Sequence, residues 1–155
     1  MIRKASYKDI NKIIDLLSQV HELHFEGRPD IFKDGINKYD YSELEAMIDE
    51  DKTPIYVYTD ENDVVLGYAF LQFISVWNKM LHGVKYVFID DLCVDKEYRG
   101  KGIGKALLDY VYELSKELNY DYVRLNVWSF NKEAKEFYLK NGFGELESIM
   151  EKKVS

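Results

Sequence analysis

The residues that most clearly suggest a chemical function lie in a short glycine-rich stretch before an amphipathic helical pattern. Within residues 98–106, three alternate glycines stand among three basic side chains. Glycine tolerates positive φ and lets a ligand approach the backbone closely. The free N–H groups at a helix start, together with the helix dipole, attract anions. We therefore predict a phosphate cradle, as opposed to a plain turn with solvated lysines, made of Arg99, Gly100, Lys101, Gly102, Ile103, Gly104 and Lys105.

The spacing of these glycines excludes two familiar nucleotide motifs. A dinucleotide fingerprint has the pattern G-x-G-x-x-G, whereas Gly104 follows Gly102 one residue too early. A Walker loop needs Ser or Thr after its Gly-Lys pair to bind magnesium, and Ala106 stands there instead. The pattern therefore disfavours a nucleotide-binding or kinase-like protein.

Composition indicates an acidic globular protein. The chain of 155 residues carries a net charge of −7, and no apolar run approaches the ~20 residues of a membrane span. Cys93 is the single cysteine, so neither a disulfide framework nor a cysteine metal cluster is expected. We predict one domain over residues 1–155, a cytoplasmic location, no metal, and no affinity for nucleic acid or membrane. The negative field favours a cationic partner such as an amine.

Hydrophobic periodicity predicts helices and strands around the glycine-rich stretch. Helices are predicted over residues 7–24, after the capping pair Ser42 and Glu45, and from Ile103 onward. Strands are predicted at residues 2–5, 55–58, 64–74, 84–94, about 122–128 and about 143–153, with loops at 26–40 and 77–83. Residues 84–94 are apolar on both alternating faces, which is typical of a covered central strand. The pattern as a whole predicts an α+β fold with a mixed sheet.

Two motifs, in this order, resemble those of the GNAT superfamily of N-acetyltransferases. Residues 99–104 match its R/Q-x-x-G-x-G/A loop, which in that family holds the pyrophosphate of acetyl coenzyme A. Residues 131–143 match its N-x-x-A-x-x-F-Y-x-x-x-G-F helix. The resemblance, most specific over residues 84–143, implies a mostly antiparallel mixed sheet flanked by helices on both faces. It also implies acetyl transfer from acetyl coenzyme A to a primary amine by direct attack.

The resemblance assigns roles to further residues. Tyr138 aligns with the tyrosine that many members use as general acid toward the departing sulfur, and a phenol with a pKa near 10 suits that task. Asn131 is expected to cap its helix and to contact the amide arm of the cofactor. The backbone of Leu92, Cys93 and Val94 is expected to hold the pantetheine arm and the thioester carbonyl, in a strand that splays from its neighbour.

The base that takes the proton of the amine is less sharply defined. Asp90 falls where the polyamine acetyltransferases carry a glutamate in a similar acidic pair, and it is our candidate. Orientation of the substrate or a salt bridge is an equal alternative for Asp90. Adjacent strand residues face opposite sides, so only one of Asp90 and Asp91 should point into a cleft. We expect Cys93 to be a buried thiol and not a nucleophile, because no basic neighbour in sequence lowers its pKa.

The acceptor remains open at this stage. The segment 21–26 with its two histidines, and Trp77 with His82, are candidates for the acceptor side, the alternative being ordinary polar surface. We favour a small-molecule amine such as a polyamine or diamine. The alternatives are a protein N-terminus or lysine, and a module that binds acetyl coenzyme A without catalysis. Relatives are often dimers, so a homodimer is a further expectation.

Overall fold

A five-stranded sheet forms the centre of the protein, and the computed structural model describes all of residues 1–155. In chain order the strands are β1 (Ile2–Lys4), β2 (Ile55–Thr59), β3 (Val65–Asn78), β4 (Leu81–Val94) and β5 (Tyr122–Leu125). The α-helices are α1 (Ile10–Gly27), α2 (Tyr41–Glu50), α3 (Ile103–Glu117) and α4 (Lys132–Lys140). The strands lie side by side in sequence order, antiparallel except for the parallel pair β4 and β5. The predicted mixed, mostly antiparallel sheet is confirmed.

Strand alternation divides the core into two layers. Ile55 and Val57 of β2 pack with residues of α1 and α2 on one face, whereas Tyr56 between them packs with residues of α3 on the other. Successive side chains of a strand point to opposite faces, so a strand with apolar side chains on both faces must be covered on both sides. Helices on both faces provide that cover, as predicted. None of the helices combines the length and the hydropathy of a transmembrane span.

The parallel pair at one side of the sheet is short. Residues 86–89 of β4 pair with residues 122–125 of β5, and the pairing ends there. β4 continues to Val94 and stays paired with β3 on its other side. Past Ile89, the edge of β4 that faced β5 therefore has no strand partner. This divergence of β4 from β5 positions the candidate site.

A β-bulge interrupts the ladder between β3 and β4 at Asp90. Phe70 pairs with Asp91, and the next residue Leu71 pairs with Ile89, so Asp90 is an extra residue without a partner. A bulge of this kind bends the strand and re-aims the side chains around it. Strict alternation therefore does not hold across this part of β4.

The strand predicted over residues 143–153 is absent, and this prediction is wrong. The N–H of Phe143 still bonds to the carbonyl of Tyr138, but residues 144–155 make no backbone–backbone hydrogen bond and belong to no strand. Alternating apolar residues specify an extended chain with one apolar face. They do not supply the neighbouring edge that a strand requires, and no edge of this sheet pairs with the segment.

Smaller differences concern helix starts and a turn. Residues 7–9 form a 3₁₀ turn before α1, and α1 extends to Gly27. α2 is capped by Asp40 with Glu43 instead of Ser42 with Glu45, since the Asp40 side chain accepts from the Glu43 N–H at 2.8 Å. The predicted 77–83 loop shrinks to the two residues between β3 and β4, because both strands continue into the turn.

Candidate active site

A cavity of about 760 Å³ lies where β4 and β5 diverge. The ends of both strands, the start of α3, one side of α4 and the C-terminal half of α1 form its walls. The predicted site residues that line it are Asp90, Leu92, Cys93, Val94, Arg99, Gly100, Gly102, Ile103, Gly104, Lys105, Asn131 and Tyr138. Lys101 does not line the cavity, and its Nζ lies 5.2 Å from the centre of the Tyr98 ring. Two motifs far apart in sequence thus meet at one cavity.

The alternate glycines serve two structural purposes. Gly100 and Gly102 have φ of 79° and 82°, in the left-handed region, and nothing lies within 4 Å of the position that a Cβ would take. Gly104 is needed for a different reason, because its Cβ would stand 2.9 Å from Cζ of Phe137. The first two glycines therefore shape the turn, and the third lets α3 approach α4 closely.

The start of α3 offers free hydrogen-bond donors to the cavity. Gly102 is the N-cap residue, so no side chain caps the helix, and the first turn contains no acidic residue. The first N–H groups of any α-helix lack an acceptor within the helix and stand at the positive end of its dipole. A diphosphate is the kind of group that such a helix start binds.

Basic side chains surround this helix start. Nε of Arg99 donates to the carbonyl of Val94 at 3.2 Å, which fixes the side chain beside the end of β4. Nζ of Lys105 lies 2.6 Å from the carboxylate of Asp109, one helical turn further along. Both residues line the cavity and are exposed, so an entering anion can attract them with little rearrangement.

The end of β4 presents its backbone to the cavity. Leu92, Cys93 and Val94 pair with β3 on one side and have no strand on the other. The Cys93 side chain is buried in the layer under α1, with Sγ 3.6 Å from the carbonyl of Leu16. Burial raises the pKa of the Cys93 thiol to about 12, so it stays protonated near neutral pH. The predicted buried thiol is confirmed, and a raised pKa is unfavourable for a nucleophile.

Both acidic neighbours on β4 line the cavity, which corrects the expectation that only one would. The bulge at Asp90 is the physical reason, since it breaks the alternation of side chains. Asp90 is engaged with the loop before α2, because Oη of Tyr39 donates to it at 2.6 Å and Nζ of Lys38 lies 3.1 Å from Oδ1. Its carboxylate is therefore already ion-paired and hydrogen-bonded.

Asp91 has the properties of a group that exchanges protons near neutral pH. Burial raises the pKa of its carboxyl to about 6, although the charge of Lys38 opposes the shift. Oη of Tyr68 donates to Asp91 at 3.3 Å. A general base works best when its pKa lies near the working pH. Asp91 fits that requirement, although the sequence pattern favoured Asp90 as the base.

The Tyr138 hydroxyl is held protonated and unengaged. Its ring contacts Phe137 and Phe143 edge-on, with centroids 5.4 and 5.7 Å away. Burial raises the pKa of Tyr138, and the nearby Asp91 raises it further. No group of the chain forms a hydrogen bond with Oη, so the proton is free to be donated. Asn131 caps the same helix, as predicted, since its Oδ1 accepts from the Ala134 N–H at 3.2 Å.

Aromatic rings line the end of the cavity beside α1. The His24 and Phe32 centroids are 4.9 Å apart, and Phe32 and Trp128 meet at 5.2 Å. Burial lowers the pKa of His24, which therefore stays neutral near pH 7. His21 also lines the cavity.

The other acceptor-side candidates do not reach this wall. Glu22 and Glu26 are not among the lining residues. Trp77 and His82 flank the turn between β3 and β4, outside the cavity. The wall at this end of the cavity is therefore built from α1, the loop after it and the chain after β5.

The close approach at Gly104 gives a first prediction. Replacing Gly104 with valine should lower the free energy of unfolding by about 1–3 kcal/mol, because the added carbons overpack the contact with Phe137. Lys105→Val is the matched control, since it puts the same side chain at an exposed position of the same turn and should cost only ~0.5 kcal/mol in helix propensity. Urea unfolding measures both variants. Equal losses in the two would contradict the proposed packing role.

Residues 17–143 match the family model described as "Acetyltransferase (GNAT) family". Among curated proteins, an uncharacterized N-acetyltransferase of Methanocaldococcus jannaschii is 41% identical over 156 positions, covering 96% of this chain and 65% of that protein. A thialysine N-epsilon-acetyltransferase of Sus scrofa is 30% identical over 87 residues, covering 56% of this chain and 48% of that protein. The chain thus spans about half to two thirds of the length of these relatives.

The fold is closely similar to a solved structure. A mutant of the BH1408 protein from Bacillus halodurans superposes with a TM-score of 0.95 at 30% identity. The match covers 100% of this chain and 99% of that one. The two proteins therefore share the fold along the whole chain.

Proposed function

The chain belongs to the acetyltransferase (GNAT) family, and from this premise we propose that it transfers the acetyl group of acetyl coenzyme A to a primary amine of a small cationic molecule, such as a polyamine or another diamine. Residues 1–155 would act as one N-acetyltransferase domain. One observation carries the proposal. A single cavity joins the uncapped start of α3 to Tyr138 and to the carboxylates of β4.

The residues present fit acetyl coenzyme A. The N–H groups of residues 99–105 would hold the diphosphate, with Arg99 and Lys105 adding charge. The free backbone edge of Leu92–Val94 would hydrogen-bond the extended amide arm, and Asn131 would contact that arm from α4. When bound, acetyl coenzyme A supplies the acetyl group as an activated thioester.

Side chains of the protein would carry out the proton transfers of the reaction. A primary amine attacks only when it is neutral, and Asp91, ionised above pH 6, would accept its proton directly or through water. Asp90, held by Tyr39 and Lys38, would orient the acceptor amine. Tyr138, which keeps its proton at Oη at neutral pH, would return a proton to the leaving sulfur. Cys93 would take no covalent part.

Three features support a small cationic acceptor. The wall beside α1 is aromatic, and aromatic faces attract ammonium groups by about 0.5–2 kcal/mol. Two carboxylates lie at the same cavity, in a protein of net charge −7. The relative from Sus scrofa is named for acetylation of the N-epsilon group of thialysine, a side-chain amine.

Release of free thiol from acetyl coenzyme A, measured across an amine panel, tests the proposal. We expect the highest kcat/KM with polyamines and diamines, and lower values with aminoglycosides, amino acids and peptides that carry a free N-terminus or lysine. A preference for peptides would favour the protein acetyltransferase alternative. No release of thiol with any amine of the panel, together with tight binding of coenzyme A that a Tyr138→Phe variant leaves unchanged, would favour the non-catalytic alternative.

A further inference from the structure

The segment between α1 and α2, residues 28–40, forms part of the cavity wall and is held in place near its end. Nδ2 of Asn37 donates to Oγ of Ser18 on α1 at 2.9 Å. The Tyr39 ring stacks on the Phe70 ring of β3, with centroids 5.4 Å apart and an angle of 6° between the ring planes. Lys38 stands between these two anchored residues, so its backbone has a fixed place at the cavity.

The side chain of Lys38 places an ammonium group of the protein itself inside the cavity. Its Nζ donates to the backbone carbonyl of Asp90 at 3.0 Å and lies 3.1 Å from Oδ1 of the same residue. The Asp90 side chain is 16% exposed, whereas the Lys38 side chain is 45% exposed. The carboxylate is thus a fixed part of the cavity, and the ammonium has a path into solvent if another cation takes its place.

Asp90 provides Lys38 with the contacts that the ammonium group of a bound amine also requires. An ammonium only donates hydrogen bonds, so it needs oxygen acceptors when water is removed. The two Asp90 oxygens that contact Lys38 meet this need, and Oη of Tyr39 donates to the remaining carboxylate oxygen at 2.6 Å. A second ammonium at the same carboxylate would lie close to Lys38 and would be repelled by its charge.

The other carboxylate of the cavity is not occupied in this way. Asp91 accepts a hydrogen bond from Tyr68 at 3.3 Å and forms no ion pair, whereas Asp90 is paired with Lys38. An amine that attacks the thioester must first lose its proton and its charge. The other amino group of a diamine stays positively charged and needs a counter-ion. The two carboxylates therefore offer different positions to the two ends of a diamine.

We infer that Lys38 is a specificity-determining residue, whose ammonium occupies the position at Asp90 that the non-reacting ammonium of a diamine would take. The inference rests on the proposed acetyl transfer to amines. An acceptor with a second positive charge has to displace Lys38 or bind beside it, whereas an acceptor with a single amino group does not. Lys38 thus weakens the preference for diamines and polyamines that the acidic cavity would otherwise have.

Two acceptors of equal length test the inference. Butylamine and 1,4-diaminobutane share the same carbon chain and differ by the second amino group, so the ratio of their kcat/KM values reports on that group alone. Lys38→Met keeps an unbranched side chain and removes the charge. The ratio of diamine to monoamine should rise roughly three- to tenfold in this variant, as expected for the loss of a like charge near a protein surface. The change should appear as a lower KM for the diamine at unchanged kcat.

Two control variants separate the charge at Asp90 from other effects. Lys33→Met removes a charge from the same segment, but Lys33 is exposed and does not line the cavity, so the ratio should stay at the wild-type value. Lys38→Arg keeps the positive charge and should also keep that ratio. A segment that was merely loosened by the substitution would change kcat/KM for both amines in the same proportion and leave the ratio unchanged.

The inference is overturned if the ratio in Lys38→Met stays the same or falls, or if it rises equally in Lys33→Met or Lys38→Arg. A wild type that acetylates neither amine contradicts the proposed function instead. Calorimetric titration with 1,4-diaminobutane then tests Lys38 without turnover. Tighter binding by Lys38→Met than by the wild type supports the competition, and equal binding or no binding to either protein contradicts it.

Discussion

Replacing Tyr138 with phenylalanine is expected to lower kcat by about 10²–10⁴-fold, the range that a positioned acid or base contributes. The substitution removes one oxygen and keeps the ring contacts with Phe137 and Phe143. Because the hydroxyl has no partner in the chain, its removal leaves no unsatisfied group and should not destabilise the fold. The loss therefore reports on proton delivery to the departing sulfur.

Two measurements separate this loss from a binding defect. Calorimetric titration with coenzyme A should give the same Kd for the variant and the wild type, since the diphosphate would be held at the start of α3. Tyr112→Phe, an exposed tyrosine on α3, is the matched control and should keep full activity. Tyr138 has no role as acid if the phenylalanine variant turns over at the wild-type rate.

Replacing Asp91 with asparagine is the second large effect that we expect. Asn cannot accept the proton of the amine, so kcat/KM should fall about 10²–10⁴-fold. In the wild type, kcat/KM should rise with pH through about 6 as Asp91 ionises, and this limb should vanish in the variant. Asp90→Asn is the control. Its loss should fall mainly on KM, and the limb near pH 6 should remain.

The same variant should be more stable at neutral pH, which distinguishes lost chemistry from lost folding. Burial raises the pKa of Asp91 from 3.8 to about 6, so folding takes up a proton between these values. Above pH 6 the buried charge weakens folding, and asparagine removes that penalty of about 1–3 kcal/mol. Urea unfolding at pH 7.5 should show a higher midpoint for Asp91→Asn. A lower midpoint would mean that the charge of Asp91 stabilises the fold.

The sequence was most informative where local chemistry decides the structure. The turn at Gly100 and Gly102 requires positive φ, and Asn131 caps its own helix, so both features are determined by residues that are close in sequence. These two features depend on short-range geometry that a pattern of residue types encodes directly. That the glycine loop and Tyr138 share one site was implied by the resemblance to the GNAT family and not by local geometry.

The features that the sequence did not predict depend on contacts between distant segments. Tyr39 and Lys38 reach Asp90 from a loop that carries no motif. The aromatic wall joins Phe32 to Trp128, nearly a hundred residues apart in the chain. Residues 143–153 carry the residue pattern of a strand, yet whether they pair depends on a neighbouring edge that these residues do not specify.

Because of the β-bulge at Asp90, the presence of two acids at the cavity depends on the number of residues in β4 as well as on their types. Asp90 and Asp91 are the only residues between Ile89 and Leu92, so deleting either one would restore regular pleating and leave a single carboxylate at the cavity.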